Sequence, residues 1–243
     1  MRWTEAGLAL AIAGLTSGFG QIARPAPPQP PRAPSPLTPS TPSPAAKRFV
    51  VVLDAAHGGS DDGARLGKGV LEKNLTLALA EQLKAMLREQ GIAVTMTRNI
   101  DVDLPTLNRA EIANHAQAAA CLVLHATATG SGVHLFTSSL SPVPRAEVLP
   151  WGSAQAEFVT ESLKLESELD AALVHAEIPV TMGRASVAPM DNMACPTVAV
   201  ELAPLAPGNA TKGRTITNEL YQKTVEGAMA VAIGSWRTDQ TER

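Results

Sequence analysis

Three apolar runs, each followed by a histidine or an acidic residue, constrain the fold of this chain most strongly. Residues 49–53 (FVVVL) and 121–124 (CLVL) are uninterrupted apolar stretches, and residues 197–200 (TVAV) form a shorter run rich in β-branched side chains. Apolar runs without polar alternation are typical of strands that are buried on both faces. Helical patterns separate the runs, so the sequence predicts an α/β fold with a mainly parallel, twisted sheet flanked by helices.

Four segments between and after these runs are predicted to be helical. The clearest is 72–90, where leucine or methionine recurs every three or four positions and Gly91 stands where a helix would end. The other predicted helices cover 106–116, about 153–175, and 215–236.

The prolines are concentrated outside this pattern. Residues 25–44 contain ten of the chain's 19 prolines, and proline lacks the amide hydrogen that helices and sheets require. We therefore expect a disordered linker over 23–46, a single catalytic domain over 47–237 and a flexible tail over 238–243.

The N-terminus has the composition of an export signal. Residues 6–15 (AGLALAIAGL) are apolar throughout, which matches the length of a signal core but is short of the roughly 20 residues that cross a bilayer. We expect a signal peptide over 1–22, with an uncleaved N-terminal membrane anchor as the alternative. The domain would then lie in the periplasm or cell envelope, in the second case tethered to the inner membrane.

Charge and cysteine content exclude some classes of function. Without its first 46 residues the chain has 17 basic and 22 acidic residues, and this acidic balance argues against nucleic-acid binding. Cys121 and Cys195 show no CxxC spacing, which excludes a zinc ribbon or a thioredoxin-type motif. We expect both to be buried free thiols, with a disulfide as the alternative in an oxidising compartment.

The residues that follow the three apolar runs suggest a metal site. His57, His125 and Glu201 come at or just after the ends of these runs, and the carboxyl ends of parallel strands meet at one edge of a sheet. Glu72 follows a glycine-rich loop, 58–63, that could fold it back toward His57. Two histidines and one carboxylate are a typical catalytic zinc set, and a second carboxylate can act as base. The alternative is structural histidines and a helix-start glutamate, and spacing alone leaves open which glutamate binds metal.

Several segments resemble, in order, the motifs of one enzyme family. They are 51–59 (VVLDAAHGG), 71–74 (LEKN), 123–128 (VLHATA), 132–136 (GVHLF) and 195–202 (CPTVAVEL). Together they resemble the zinc-dependent N-acetylmuramoyl-L-alanine amidases of the Amidase_3 family, which act on peptidoglycan. The resemblance covers nearly the whole predicted domain and implies the family's phosphorylase/hydrolase-like fold.

The resemblance also implies roles for individual residues. One zinc ion would be held by His57, Glu72 and His125, and Glu201 would be the general base toward the attacking water. The reaction implied is hydrolysis of the amide bond between N-acetylmuramic acid and L-alanine, in cell-wall remodelling or daughter-cell separation. Peptidoglycan would be the substrate, with an envelope activator protein as a possible partner. The alternatives are a peptidoglycan-binding module with lost or slowed catalysis and a zinc peptidase that acts on the stem peptide.

The chain departs from the family pattern next to these residues. Ala55 and Ala56 replace Pro-Gly, Val123 and Thr127 replace Ser and Asn, and 204–207 (PLAP) replaces Phe-x-Ser-Asn. The changed segment after Glu201 concerns the fit of the stem peptide more than it concerns metal binding.

The remaining polar candidates are expected to be structural. Arg98 and Arg109 are expected to hydrogen-bond loops and helix ends, with substrate contact as the alternative. Asp54 is expected to orient His57 or its loop, with capping of a turn as the alternative. Structural roles are likewise expected for the other three histidines: His115, His134 and His175.

Overall fold

The computed structural model describes residues 48–67, 69–144, 149–207 and 212–241. The predicted signal peptide or anchor and the whole of the predicted linker therefore lie outside the described residues. Within them the strands are β1 (Val50–Ala55), β2 (Ala93–Met96), β3 (Ala120–Ala126), β4 (Val133–Ser138), β5 (Val180–Ala185) and β6 (Thr197–Leu202). The helices are α1 (Glu72–Glu89), α2 (Thr106–His115), α3 (Val159–His175) and α4 (Glu219–Thr241).

The strands form one mixed sheet in the order β2-β1-β3-β6-β4-β5. Neighbouring strands run parallel except for β4 and β6, which are antiparallel. The predicted α/β class with a mainly parallel sheet is therefore confirmed. The two edge strands, β2 and β5, were not predicted, because they are only partly buried and lack a continuous apolar run.

Two helix predictions differ from the structure. The segment predicted as one helix over 153–175 is a 3-10 helix, Trp151–Glu157, followed by α3. α4 begins later than predicted because the Asn218 side chain accepts a hydrogen bond from the Tyr221 amide and so caps the helix. It then continues to Thr241, so residues 238–241, expected in a flexible tail, are helical.

The sheet separates two apolar layers. On one face, alternate residues of the central strands pack against α1, α3 and α4, and the fully buried Trp236 and Leu169 belong to this layer. On the other face a smaller layer contains Val52 and Val123 together with Ala110 and Ala113 of α2. Helices on both faces leave the strand ends as the open edge of the sheet. No helix in the described part of the chain is long and apolar enough to span a membrane.

The expectation of free thiols is wrong: Cys121 and Cys195 form a disulfide. Cys121 lies in β3 opposite Thr197 of β6, and Cys195 precedes that strand by two residues. The neighbouring strands therefore bring the two Cα atoms to 6.2 Å, within the range that a disulfide requires. Both cysteines are buried in the smaller apolar layer.

Candidate metal centre

His57 follows β1 in a conformation that few residues adopt. Its φ is +64°, in the left-handed region, where a side chain with a Cβ is strained. Hydrogen bonds stabilise this strained backbone. Arg109 donates from Nη2 to the His57 carbonyl oxygen at 2.6 Å, and Gly58 and Asp61 exchange backbone hydrogen bonds. The tight turn presents the His57 ring at the edge of the sheet.

Glu72 is the first residue of α1, and its carboxylate points back toward β1 and β3. Oε2 accepts a hydrogen bond from the amide of Ala64 at 2.8 Å, and Oε1 accepts one from the amide of Ala126 at 3.0 Å. The glycine-rich loop thus folds Glu72 toward His57, as the sequence predicted.

His57, Glu72 and His125 converge on one point. The distance from His57 Nε2 to Glu72 Oε2 is 3.1 Å, and the distance from His125 Nδ1 to Glu72 Oε1 is 2.9 Å. One potential ligand atom from each of the three lies within 4.8 Å of the other two. Gly63 packs so closely here that a Cβ on it would come within 2.6 Å of the His57 ring and 2.7 Å of Glu72 Oε2.

The hydrogen bonds set the charges of this cluster. Burial acts to raise the pKa of Glu72, but hydrogen bonds from His125, His57 and the backbone amides outweigh it and hold the pKa well below its usual range. The hydrogen bond to Glu72 raises the pKa of His57 against the effect of burial, and Asp61 adds to the rise. Glu72 is therefore an ionised carboxylate in a cluster that favours positive charge.

The chemistry of these donors fits a zinc ion. Two imidazole nitrogens and one carboxylate form a common catalytic zinc set that leaves a position for water or substrate. Each histidine turns one nitrogen toward Glu72, and Asp61 accepts from His57 Nδ1 at 2.8 Å, as outer-shell carboxylates do for metal-ligating histidines. The outer nitrogen of His125, Nε2, is buried and has no hydrogen-bond partner among the described residues.

Glu201 lies beside this cluster rather than in it. It is opposite His125 in the β3–β6 register and opposite His134 in the β6–β4 register. The three residues therefore form a row across adjacent strands on one face of the sheet. Glu201 Oε2 is 2.7 Å from His134 Nδ1.

The contact with Glu201 was missed in the sequence, where His134 was expected to have only a structural role. His134 is two residues after Gly132, in the segment 132–136 that the family resemblance already included. Knowing that β4 runs antiparallel to β6 would have placed His134 opposite Glu201, but strand direction is not encoded in a short apolar pattern.

The other polar candidates support the loops of the site. Arg98 donates to the carbonyl oxygens of Ala55 and Ala56, which is the loop role expected of it. Asp54 is fully buried and accepts from Arg109 at 2.8 Å, so it acts on His57 through that arginine.

Two of the remaining histidines lie outside the site. His115 and His175 are exposed final residues of α2 and α3, where a basic side chain favours the helix end.

Two aspartates that follow β2 in the chain, Asp101 and Asp103, hold the glycine-rich loop 58–63 in place. Asp101 accepts from the Gly59 amide at 2.7 Å, and Asp103 accepts from the Ser60 amide at 2.8 Å. Lys73 joins the loop from the other side, donating to the Gly59 carbonyl oxygen at 2.6 Å. These bonds fix a loop that is otherwise rich in glycine.

Comparison with known proteins indicates the family of this chain. A sequence model of the Amidase_3 family, described as N-acetylmuramoyl-L-alanine amidase, matches residues 51–235. The chain is 42% identical over 77 residues to N-acetylmuramoyl-L-alanine amidase AmiA of Escherichia coli K12, a match that covers 32% of this chain and 27% of AmiA. The chain thus spans about a quarter of the length of that relative.

Solved structures share the fold. An N-acetylmuramoyl-L-alanine amidase from Clostridium difficile 630 superimposes with a TM-score of 0.58 at 19% identity, covering 79% of this chain and 98% of that one. The CwlD amidase from Clostridioides difficile, solved in complex with the GerS lipoprotein, superimposes with a TM-score of 0.53 at 21% identity, covering 79% and 99%. With the family match across most of the chain and this shared fold, the chain belongs to the Amidase_3 family of N-acetylmuramoyl-L-alanine amidases.

Proposed function

We propose that this chain is a zinc-dependent amidase that hydrolyses the bond between the lactyl group of N-acetylmuramic acid and L-alanine in peptidoglycan. The convergence of His57, Glu72 and His125 beside Glu201 is the observation that carries the proposal. The family match supports the bond and the substrate class.

Each residue of the cluster has a role that its surroundings favour. Glu72, held ionised by its hydrogen bonds, would be the anionic ligand. His57 through Nε2 and His125 through Nδ1 would be the neutral ligands. When bound, zinc would polarise the scissile carbonyl and make water a stronger nucleophile.

Glu201 would move the protons of the reaction. Its carboxylate would accept a proton from the attacking water and later donate it to the leaving amine of L-alanine. Amide hydrolysis needs this return, because an unprotonated amine anion is a very poor leaving group. The Glu201 side chain is 31% exposed, so substrate can reach it. Its backbone is part of β6, which fixes its position.

The proposal extends to where the enzyme acts. Residues 1–22 would export the chain, and the proline-rich residues 23–46 would act as an extended spacer of roughly 3.1 Å per residue. Such a spacer would let a net-acidic domain reach peptidoglycan without charge attraction. N-terminal sequencing of the mature protein distinguishes a cleaved signal from an uncleaved anchor.

An activator protein is a further part of the proposal. A structurally similar amidase was solved bound to a lipoprotein, which makes an envelope protein a reasonable partner class. Its action would set when the enzyme works in wall remodelling or cell separation.

Digestion of purified peptidoglycan tests the function. Wild type with zinc should release stem peptides that begin with L-alanine, identified by mass spectrometry, whereas Glu201→Ala should release them only at a small residual rate. Shortened peptides still attached to the sugar would support the stem-peptide peptidase instead. Binding of zinc and peptidoglycan without any release would support the binding module.

A further inference from the structure

We propose that His134 is a positioning residue for Glu201, holding one carboxylate oxygen so that the other faces the substrate. This inference rests on the proposed amidase function, in which Glu201 is the general base. It goes further by assigning a role to a histidine outside the metal cluster.

His134 and Glu201 are in direct contact through their side chains. His134 Nδ1 and Glu201 Oε2 are 2.7 Å apart, a distance typical of a charge-assisted hydrogen bond. An ionised carboxylate can only accept hydrogen bonds, so with Glu201 as the base the shared proton is on His134 Nδ1. Among the described residues, Glu201 Oε1 has no hydrogen-bond partner, which leaves it available for proton transfer.

The register of the sheet holds His134 and Glu201 opposite each other. His134 and Glu201 are direct partners in the antiparallel register of β4 and β6. The residues flanking His134, Val133 and Leu135, are completely buried in the larger apolar layer. A slip of one residue would turn both of them to the opposite face, so the core fixes the histidine opposite the glutamate.

The loop before β4 restricts the position of the His134 imidazole ring. Gly130 has a φ of +86°, and a Cβ built on it would lie 2.6 Å from His134 Nε2. The loop before β4 therefore closes over the far edge of the ring, and any side chain at position 130 would displace it. The His134 side chain is 16% exposed against 31% for Glu201, so the ring is sheltered while the carboxylate stays accessible.

Together these features give Glu201 a restricted set of orientations. An unrestrained glutamate has three side-chain torsions, and fixing them costs conformational entropy. Holding Glu201 in the reactive geometry before substrate arrives avoids paying this cost during the reaction. A purely structural pair would affect stability and leave turnover unchanged. The two roles are therefore separable by kinetics.

The test compares His134→Ala and His134→Asn on a soluble N-acetylmuramoyl peptide. Losing a hydrogen bond to a charged group should lower kcat of His134→Ala by about ten- to a hundredfold, with little change in KM, since the proposed role gives His134 no contact with substrate. Asparagine places Nδ2 near the position of Nδ1 and should recover most of the lost kcat. His175→Ala, at an exposed helix end, is the matched control and should keep wild-type kcat.

A double-mutant cycle separates this inference from the proposed function. If His134 acts through Glu201, adding His134→Ala to Glu201→Ala should cause no further loss in residual rate. Additive losses, an unchanged kcat in His134→Ala, or no recovery in His134→Asn would each overturn the inference. An inactive wild type would instead overturn the proposed function.

A spectroscopic measurement keeps the inference testable without turnover. In protein with ring-15N histidine and no added metal, the His134 Nδ1 proton should give a downfield resonance that disappears in Glu201→Ala. Its persistence in that variant, or a proton found on Nε2 alone, would contradict the proposed contact even where a variant folds poorly.

Discussion

The guanidinium of Arg109 joins the carboxylate of Asp54 to the carbonyl oxygen of His57. Nη1 donates to Asp54 at 2.8 Å and Nη2 donates to His57 at 2.6 Å, and both charged side chains are at least 95% buried. The buried ion pair of Arg109 and Asp54 thus stabilises the left-handed backbone conformation of His57.

This pair predicts a non-additive effect on stability. Either Asp54→Leu or Arg109→Met leaves one buried charge unpaired and should lower the free energy of unfolding by about 3–5 kcal/mol. The double variant should lose less free energy of unfolding than the less stable of the two single variants. Urea unfolding of the zinc-free proteins measures all three, and a double variant as unstable as the sum of the singles would contradict the pairing.

Glycine at position 63 is predicted to be required for metal binding. In Gly63→Ala the new methyl group would meet the His57 ring and Glu72 Oε2, so zinc affinity should fall by about tenfold or more, as in other perturbations beside metal ligands. Gly91→Ala is the control, because its φ of +72° carries a similar strain but nothing lies within 4 Å. Competition with a chromophoric chelator measures both affinities, and equal losses would show that backbone strain alone is responsible.

Two buried glutamates predict a pH dependence of stability. Burial raises the pKa of Glu166, aided by Asp170, and that of Glu226, each from 4.5 to about 7. Between pH 4.5 and about 7 the folded state therefore binds more protons than the unfolded state. The free energy of unfolding falls as the pH rises through this range, by about 3 kcal/mol for each group.

Glutamine variants test this dependence. Glu166→Gln and Glu226→Gln should raise the free energy of unfolding at pH 8 relative to wild type, with a much smaller change at pH 4.5. Glu81→Gln, on an exposed position of α1, should change neither. Chelator-treated protein keeps the metal cluster from contributing, and equal gains at both pH values would rule out the ionisation of these groups as the cause.

The disulfide is predicted to be a major source of stability. Cys121 and Cys195 are separated by 74 residues, and in the chain-entropy account a loop of that size contributes about 4 kcal/mol by restricting the unfolded chain. The double variant Cys121→Ala/Cys195→Ala should lose roughly this amount in urea unfolding. A loss below about 1 kcal/mol would show that the bond adds little beyond the packing of the two side chains.

The sequence predicted the parts of the site that depend on strand ends. His57, His125 and Glu201 follow apolar runs, and parallel strands deliver such residues to one edge. Parallel order could not place His134, because β4 reverses direction beside β6. The pairing of Cys121 with Cys195 depends on which strands are neighbours, and short apolar runs do not encode strand order.

The metal cluster itself is most directly tested by crystals of the protein grown with zinc and measured at the zinc absorption edge. One anomalous peak is expected in contact with His57 Nε2, Glu72 and His125 Nδ1, and it should be lost in His125→Ala. An anomalous peak on other residues, or a peak at this point that persists when His125 is removed, would contradict the proposed metal cluster.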